Sequence, residues 1–98
     1  MFTSDESIAK ELELFVLNES SLFDSFLKIV ELLAKKQANG TYCHDKALLC
    51  WDRWVLLGAK AYLSQFKMTR NVRYYFPKNI RTIVAESIAQ KAFDEYIK

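Results

Sequence analysis

Cys43, His44, Asp45 and Cys50 place four potential metal ligands within eight positions, the chemistry that would hold a soft divalent cation such as zinc. Their spacing argues against it. Structural zinc sites pair closely spaced cysteines, whereas six residues separate Cys43 from Cys50 and His44 is the only histidine. Cys43 and His44 do not suggest a nucleophile and its base either, because adjacent residues rarely meet in the required geometry and no third group orients them. Seven residues of helix rise ~10 Å, beyond disulfide reach. The segment reads as a helix start carrying two ordinary thiols, with no metal and no cofactor expected.

Other catalytic patterns are missing from the sequence. It has no Gly-rich phosphate loop, serine elbow or carboxylate pair at a recognisable spacing, so no catalytic residue is assigned, and an enzyme would need a site assembled from residues distant in sequence. Glu11 with Glu13, and Asp94 with Glu95, read as solvated faces.

Charge distribution says more than charge total. The net charge is only +2, yet residues 1–52 hold nine acids against five bases, and residues 53–85 hold seven bases and no acid. Those bases are Arg53, Lys60, Lys67, Arg70, Arg73, Lys78 and Arg81, with Tyr74 and Tyr75 among them. Together these nine residues form the candidate binding surface. Lys46, Arg53 and Lys60 recur every seven residues, opposite Trp51, Val55 and Tyr62, and so face away from the core. One reading is a solvated face answered by the acidic first half of the chain. The other is an anionic partner, since arginines beside aromatics suit bases and phosphates. Tyr74, Tyr75 and Phe76 are alternatively expected to fill the gap between the third and fourth helices.

A second candidate surface lies on the third helix, where Leu49, Leu56 and Leu63 also repeat every seven residues. Leu57, Cys50, Ala61 and Trp54 extend apolar surface beyond them. A helix apolar almost all round is either central in its bundle or buried against another chain, so this flank is expected to be internal or an interface, with a homo-oligomer among the options. Gly58 inside the helix predicts close approach of a neighbour.

The elements that must position these residues are helical. Ninety-eight residues suit a single domain spanning 1–98. The 51% hydrophobic and 27% charged content is that of a folded protein, and two Gly with one Pro are too few for an all-β fold. The spacing predicts an all-α, compact four-helix array with helices near 4–17, 20–38, 45–66 and 77–97. Thr3 or Ser4, with Glu6, supplies the first cap; Asn18, Glu19, Ser20 and Ser21 read as a break and the second cap; Asp45 supplies the third. Asn39-Gly40 closes the second helix and Pro77 sits in the first turn of the fourth. Leu48, Trp51, Val55, Ala59, Tyr62 and Phe66 form the main buried stripe of helix three.

Two cysteines cannot make a disulfide framework, and the start MFTSDESIAKE lacks the basic and apolar regions of a secretory signal, which predicts a cytoplasmic protein. The apolar run from Ala47 to Phe66 holds Asp52, Arg53 and Lys60, each costly at bilayer centre, so no membrane partner is expected.

Gly40, Tyr42, His44, Lys46-Ala47, Ala59-Lys60, Tyr62, Phe66, Phe76, Arg81, Val84-Ala85 and Phe93 resemble a family of short uncharacterised proteins encoded by bacteriophages and prophages. The resemblance covers roughly the last 60 residues; members more often carry Asp at the position of Cys43 and a longer segment before Phe76. It implies a mobile-element origin and no particular reaction. The expected function is non-enzymatic binding and modulation of a host protein or nucleoprotein complex through the basic surface. Direct nucleic-acid binding is the alternative.

Overall fold

The computed structural model describes residues 4–66 and 71–97, and the elements among them are all helical. Four long helices, α1 (Ser4–Asn18), α2 (Ser20–Ala38), α3 (His44–Phe66) and α5 (Lys78–Ala92), are joined by short connections, with one extra turn, α4 (Val72–Tyr75), before α5. The last element among the described residues is a π-helical turn, Phe93–Ile97.

Each boundary has a local cause. Asn18 donates its amide to the Leu14 carbonyl at 2.8 Å, occupying an acceptor at the end of α1. Glu19 then takes extended backbone, φ −77° and ψ 119°, and starts α2 without a side-chain cap. The cap thus falls at Glu19 within the expected break, and Ser20 and Ser21 are already helical. Gly40, at φ 74°, ends α2 as expected, with the Thr41 amide donating back to the Lys36 carbonyl at 2.8 Å. At the next start the Cys43 carbonyl accepts the Ala47 amide at 2.9 Å. Asp45 therefore lies in the first turn rather than at the cap, where its charge still complements the helix dipole. Thr3 lies outside the described residues; Ser4 opens α1.

Residues 72–75 form a helical turn where the sequence pattern alone indicates only a break. Asn71 nucleates it by accepting the Tyr74 amide on its side chain at 3.2 Å. Pro77 precedes α5 as its cap, not its first turn, and its carbonyl accepts amides from Ile80 and Arg81 at 3.0 and 3.1 Å.

The core lies where α3 and α5 pack together and against α1, with α2 closing the other side and meeting the π-helical turn. Leu12, Val16, Trp51, Val55, Leu63, Val84 and Ile88 are fully buried. Gly58 is where α1 crosses: a Cβ there would collide with Cγ1 of Val16 and lie 3.7 Å from Leu22 Cδ1, which accounts for a glycine in mid-helix. Trp54, assigned from the sequence to a flank, is 2% exposed and its Nε1 donates to the Leu22 carbonyl at 3.0 Å, tying α3 to α2. Phe66 departs from the expected buried stripe: it is 57% exposed and packs edge-on against Phe15, with ring centroids 5.7 Å apart.

Candidate functional site

Ala47, Trp51, Trp54, Val55, Gly58, Ala59, Tyr62 and Leu63 take the inward arc of α3. While the exposed His44, Asp45, Gln65 and Phe66 sit at the two ends of the helix, its outer side carries a line of six exposed residues: Lys46, Leu49, Arg53, Leu57, Lys60 and Ser64. At 100° per residue they fall within an arc of roughly 80°. The line from Lys46 to Lys60 runs ~21 Å at 1.5 Å per residue. Leu49 and Leu57 are 59% and 60% exposed, so leucines alternate with bases along one ridge.

The expected leucine flank is thereby divided. Leu49 is on the ridge, Leu56 is half-buried and Leu63 is fully buried. A seven-residue repeat on a straight helix drifts ~20° per heptad, and two heptads carry this row over the edge from solvent into the core. The flank is neither wholly internal nor wholly an interface.

The basic segment also divides. Arg53 and Lys60 are exposed on the α3 ridge, whereas Arg73, Tyr74 and Tyr75 are on α4 and Lys78 opens α5. Lys67 and Arg70 lie outside the described residues. Tyr75 and Phe76 line a cavity of about 200 Å³ with Ile8, Glu11 and Tyr62. Tyr62 is nine residues from Arg53, about 180° round the helix, so the α4 corner and the ridge occupy different sides of α3. Phe76 is 3% exposed and fills the gap as expected, while Tyr74 is 74% exposed and Tyr75 40%. The two tyrosine rings meet edge-on at 5.1 Å. Arg81 is half-buried, its Nε donating to the Phe76 carbonyl at 2.9 Å; this bond braces the corner between α4 and α5.

Among the described residues, no ion pair joins Lys46, Arg53, Lys60, Arg73, Lys78 or Arg81 to a carboxylate; the pairs present are Lys35–Glu31 at 3.5 Å and Lys91–Glu13 at 3.1 Å.

Glu13 corrects the reading of a solvated carboxylate. It is 6% exposed and its Oε1 also accepts Ser87 Oγ at 2.6 Å, clipping α1 to α5. Glu11 is exposed but accepts the Tyr62 hydroxyl. That bond, with burial and the Glu11 charge, pushes the Tyr62 pKa up to about 12. Tyr42 is raised too, by burial and then by Cys43. Alternating polarity along α1 concealed both carboxylates, since their partners lie 51 or more positions away in sequence.

Cys43 and Cys50 are free thiols, exposed and half-buried respectively. Both line a cavity of about 250 Å³ between α2 and α3, with Leu32, Lys36, Thr41 and Lys46. Among the described residues no three His, Cys, Asp or Glu side chains gather as a metal-ligand group, and no helix is long and apolar enough to cross a membrane.

No protein-family model, curated protein or solved structure matches the chain.

Proposed function

We propose that this chain is a small non-enzymatic binding domain whose α3 ridge docks on an acidic protein surface. The observation that carries this is the alternation of exposed leucines with bases that have no ion-pair partner among the described residues. Leucines on a phosphate-binding ridge would face water or charge, whereas an acidic protein surface offers apolar contact between its carboxylates. In keeping with the resemblance to phage proteins, the partner is a protein or nucleoprotein complex of a bacterial host, met in the cytoplasm and modulated by stoichiometric contact.

A benzophenone amino acid at Leu57, in the full chain expressed in a bacterial host, is expected to give discrete adducts with an acidic protein. The same group at the exposed Glu86 on α5 should not give them. Equal adducts from both positions would overturn the ridge as the binding face.

A second reading rests on Tyr74, exposed on the α4 corner next to Arg73, an arrangement suited to stacking on a single-stranded base. It requires binding to an oligonucleotide that weakens on Tyr74→Ala and falls with salt. Loss of one phosphate contact should reduce the log–log salt slope by ~1. Tyr74→Ala without effect on oligonucleotide binding would remove this reading.

A further inference from the structure

We infer that the occupant of the α3 ridge is an acidic amphipathic α-helix of another protein, lying along Leu49 and Leu57 with its carboxylates against Lys46, Arg53 and Lys60. This rests on the docking reading above and adds the partner's form. The ridge is the outside of a regular helix, whose backbone amides and carbonyls are already paired within it. An extended peptide laid there would cover its own backbone groups without gaining partners for them, a cost a helix avoids by satisfying its own.

The spacing fits as well. Bases recur every seven residues and Leu49 precedes Leu57 by eight, which are ~10.5 and ~12 Å along the axis. These are the repeats of two helices packed nearly in line, and at 100° per residue the three bases lie between Leu49 and Leu57, so the partner's carboxylates run along the middle of the contact with apolar side chains on either side. At one end of the ridge Lys46 is shared with the cavity that Leu32 and Cys50 also line, so a terminal apolar side chain of the partner has a recess between α2 and α3.

A second copy of this chain is a poorer match. Its other exposed leucines are Leu14 on α1 and Leu27 and Leu32 on α2. Leu14 stands alone on α1, and around the α2 pair Asp24 and Glu31 are mixed with Lys28, Lys35 and Lys36, so among the described residues neither helix offers two exposed leucines within an acidic row. Pairing unlike faces of identical chains would also build rings or open filaments rather than a two-fold dimer.

The test uses the full chain and a stapled helical peptide of about 21 residues, with glutamates every seven residues along one stripe and leucines on either side of it. Fluorescence anisotropy should show saturable binding that weakens at least ~tenfold on Leu57→Glu and on Arg53→Glu. The exposed Glu86→Ala should leave it unchanged. An unstructured peptide of equal charge should bind far more weakly. Equal binding of the two peptides would overturn the helical partner, leaving only attraction between opposite charges. So would failure of the stapled peptide to bind while the Leu57 adducts persist, since the ridge would then hold a partner of another shape. Loss of those adducts too would overturn the docking reading itself. Self-association in sedimentation, abolished by Leu57→Glu, would replace the foreign helix with a second copy.

Discussion

In the seam between α1 and α5, the buried Glu13 carboxylate receives Lys91 and Ser87 on the same oxygen, whereas along the outside of α3 the bases Lys46, Arg53 and Lys60 meet no carboxylate among the described residues. The difference follows from solvent. A desolvated charge left alone costs several kcal/mol, so a seam that admits one must answer it. An exposed base is already solvated by water and needs no answer. Folding therefore accounts for Glu13 and its partners but leaves the α3 ridge unexplained. Two leucines held among like charges are what a binding surface requires and a core does not.

The largest expected effect compares the two ends of the leucine row. Leu63→Ala removes a fully buried side chain and should destabilise by ~2 to 5 kcal/mol in denaturant unfolding. Leu49→Ala, at 59% exposure, should change stability by no more than ~0.5 kcal/mol. Equal losses would mean that Leu49 is covered in the free protein, and the ridge would cease to be a separate surface.

Glu13→Ala comes next. It leaves Ser87 without its acceptor and opens space in the α1–α5 seam, for an expected loss of ~1 to 3 kcal/mol. Lys91→Ala should cost less, because the Lys91 side chain is 45% exposed and water replaces much of what it gives. If Glu13→Ala proved neutral, the paired seam would be no more important to folding than the unpaired ridge.

The same contrast shows what the sequence reveals. Helical periodicity located the first three long helices and the start of the fourth to within a residue, because their apolar faces extend over several turns, but it ran the fourth on to 97 where α5 stops at Ala92 and a π-helical turn follows. Gly40 and Gly58 were also legible, since the left-handed turn and the close crossing each call for glycine. Periodicity gives a direction around the helix but no boundary between inside and outside. The width of that boundary depends on how α1, α2 and α5 surround α3, and Leu49, Leu56 and Leu63 straddle it. The same limit made one basic surface of the segment from Arg53 to Arg81, although α4 turns Arg73 and Tyr74 away from the ridge. Glu13 was hidden for a different reason: a carboxylate flanked by Leu12 and Leu14 suggests solvent until Ser87 and Lys91 are folded against it.

Tyr62 supplies a smaller, pH-dependent test on the inner side of α3. Its folded-state pKa of about 12 lies above the ordinary value of 10.0, so the neutral phenol is favoured by folding. That contribution is present in full below pH ~10 and is lost as the pH rises through the folded-state value. Wild type should therefore lose stability between pH 10 and 12 more steeply than Tyr62→Phe, measured by urea unfolding at each pH. Parallel curves would show that the bond to Glu11 does not distinguish the folded from the unfolded chain.

The smallest effect on stability is expected from the ridge bases. Arg53 and Lys60 are exposed and without ion-pair partners among the described residues, so Arg53→Ala with Lys60→Ala removes neither a buried contact nor an ion pair. The midpoint of unfolding should change by no more than the equivalent of ~0.5 kcal/mol, with any gain attributable to reduced repulsion along the helix. Raising the salt concentration should have the same slight stabilising effect on wild type, because screening weakens repulsion between exposed like charges. In the double variant the salt effect should shrink. A loss comparable to that of Glu13→Ala would mean that the two bases contribute to the fold through their aliphatic stems, and the ridge would then be structural surface rather than surface left over for a partner.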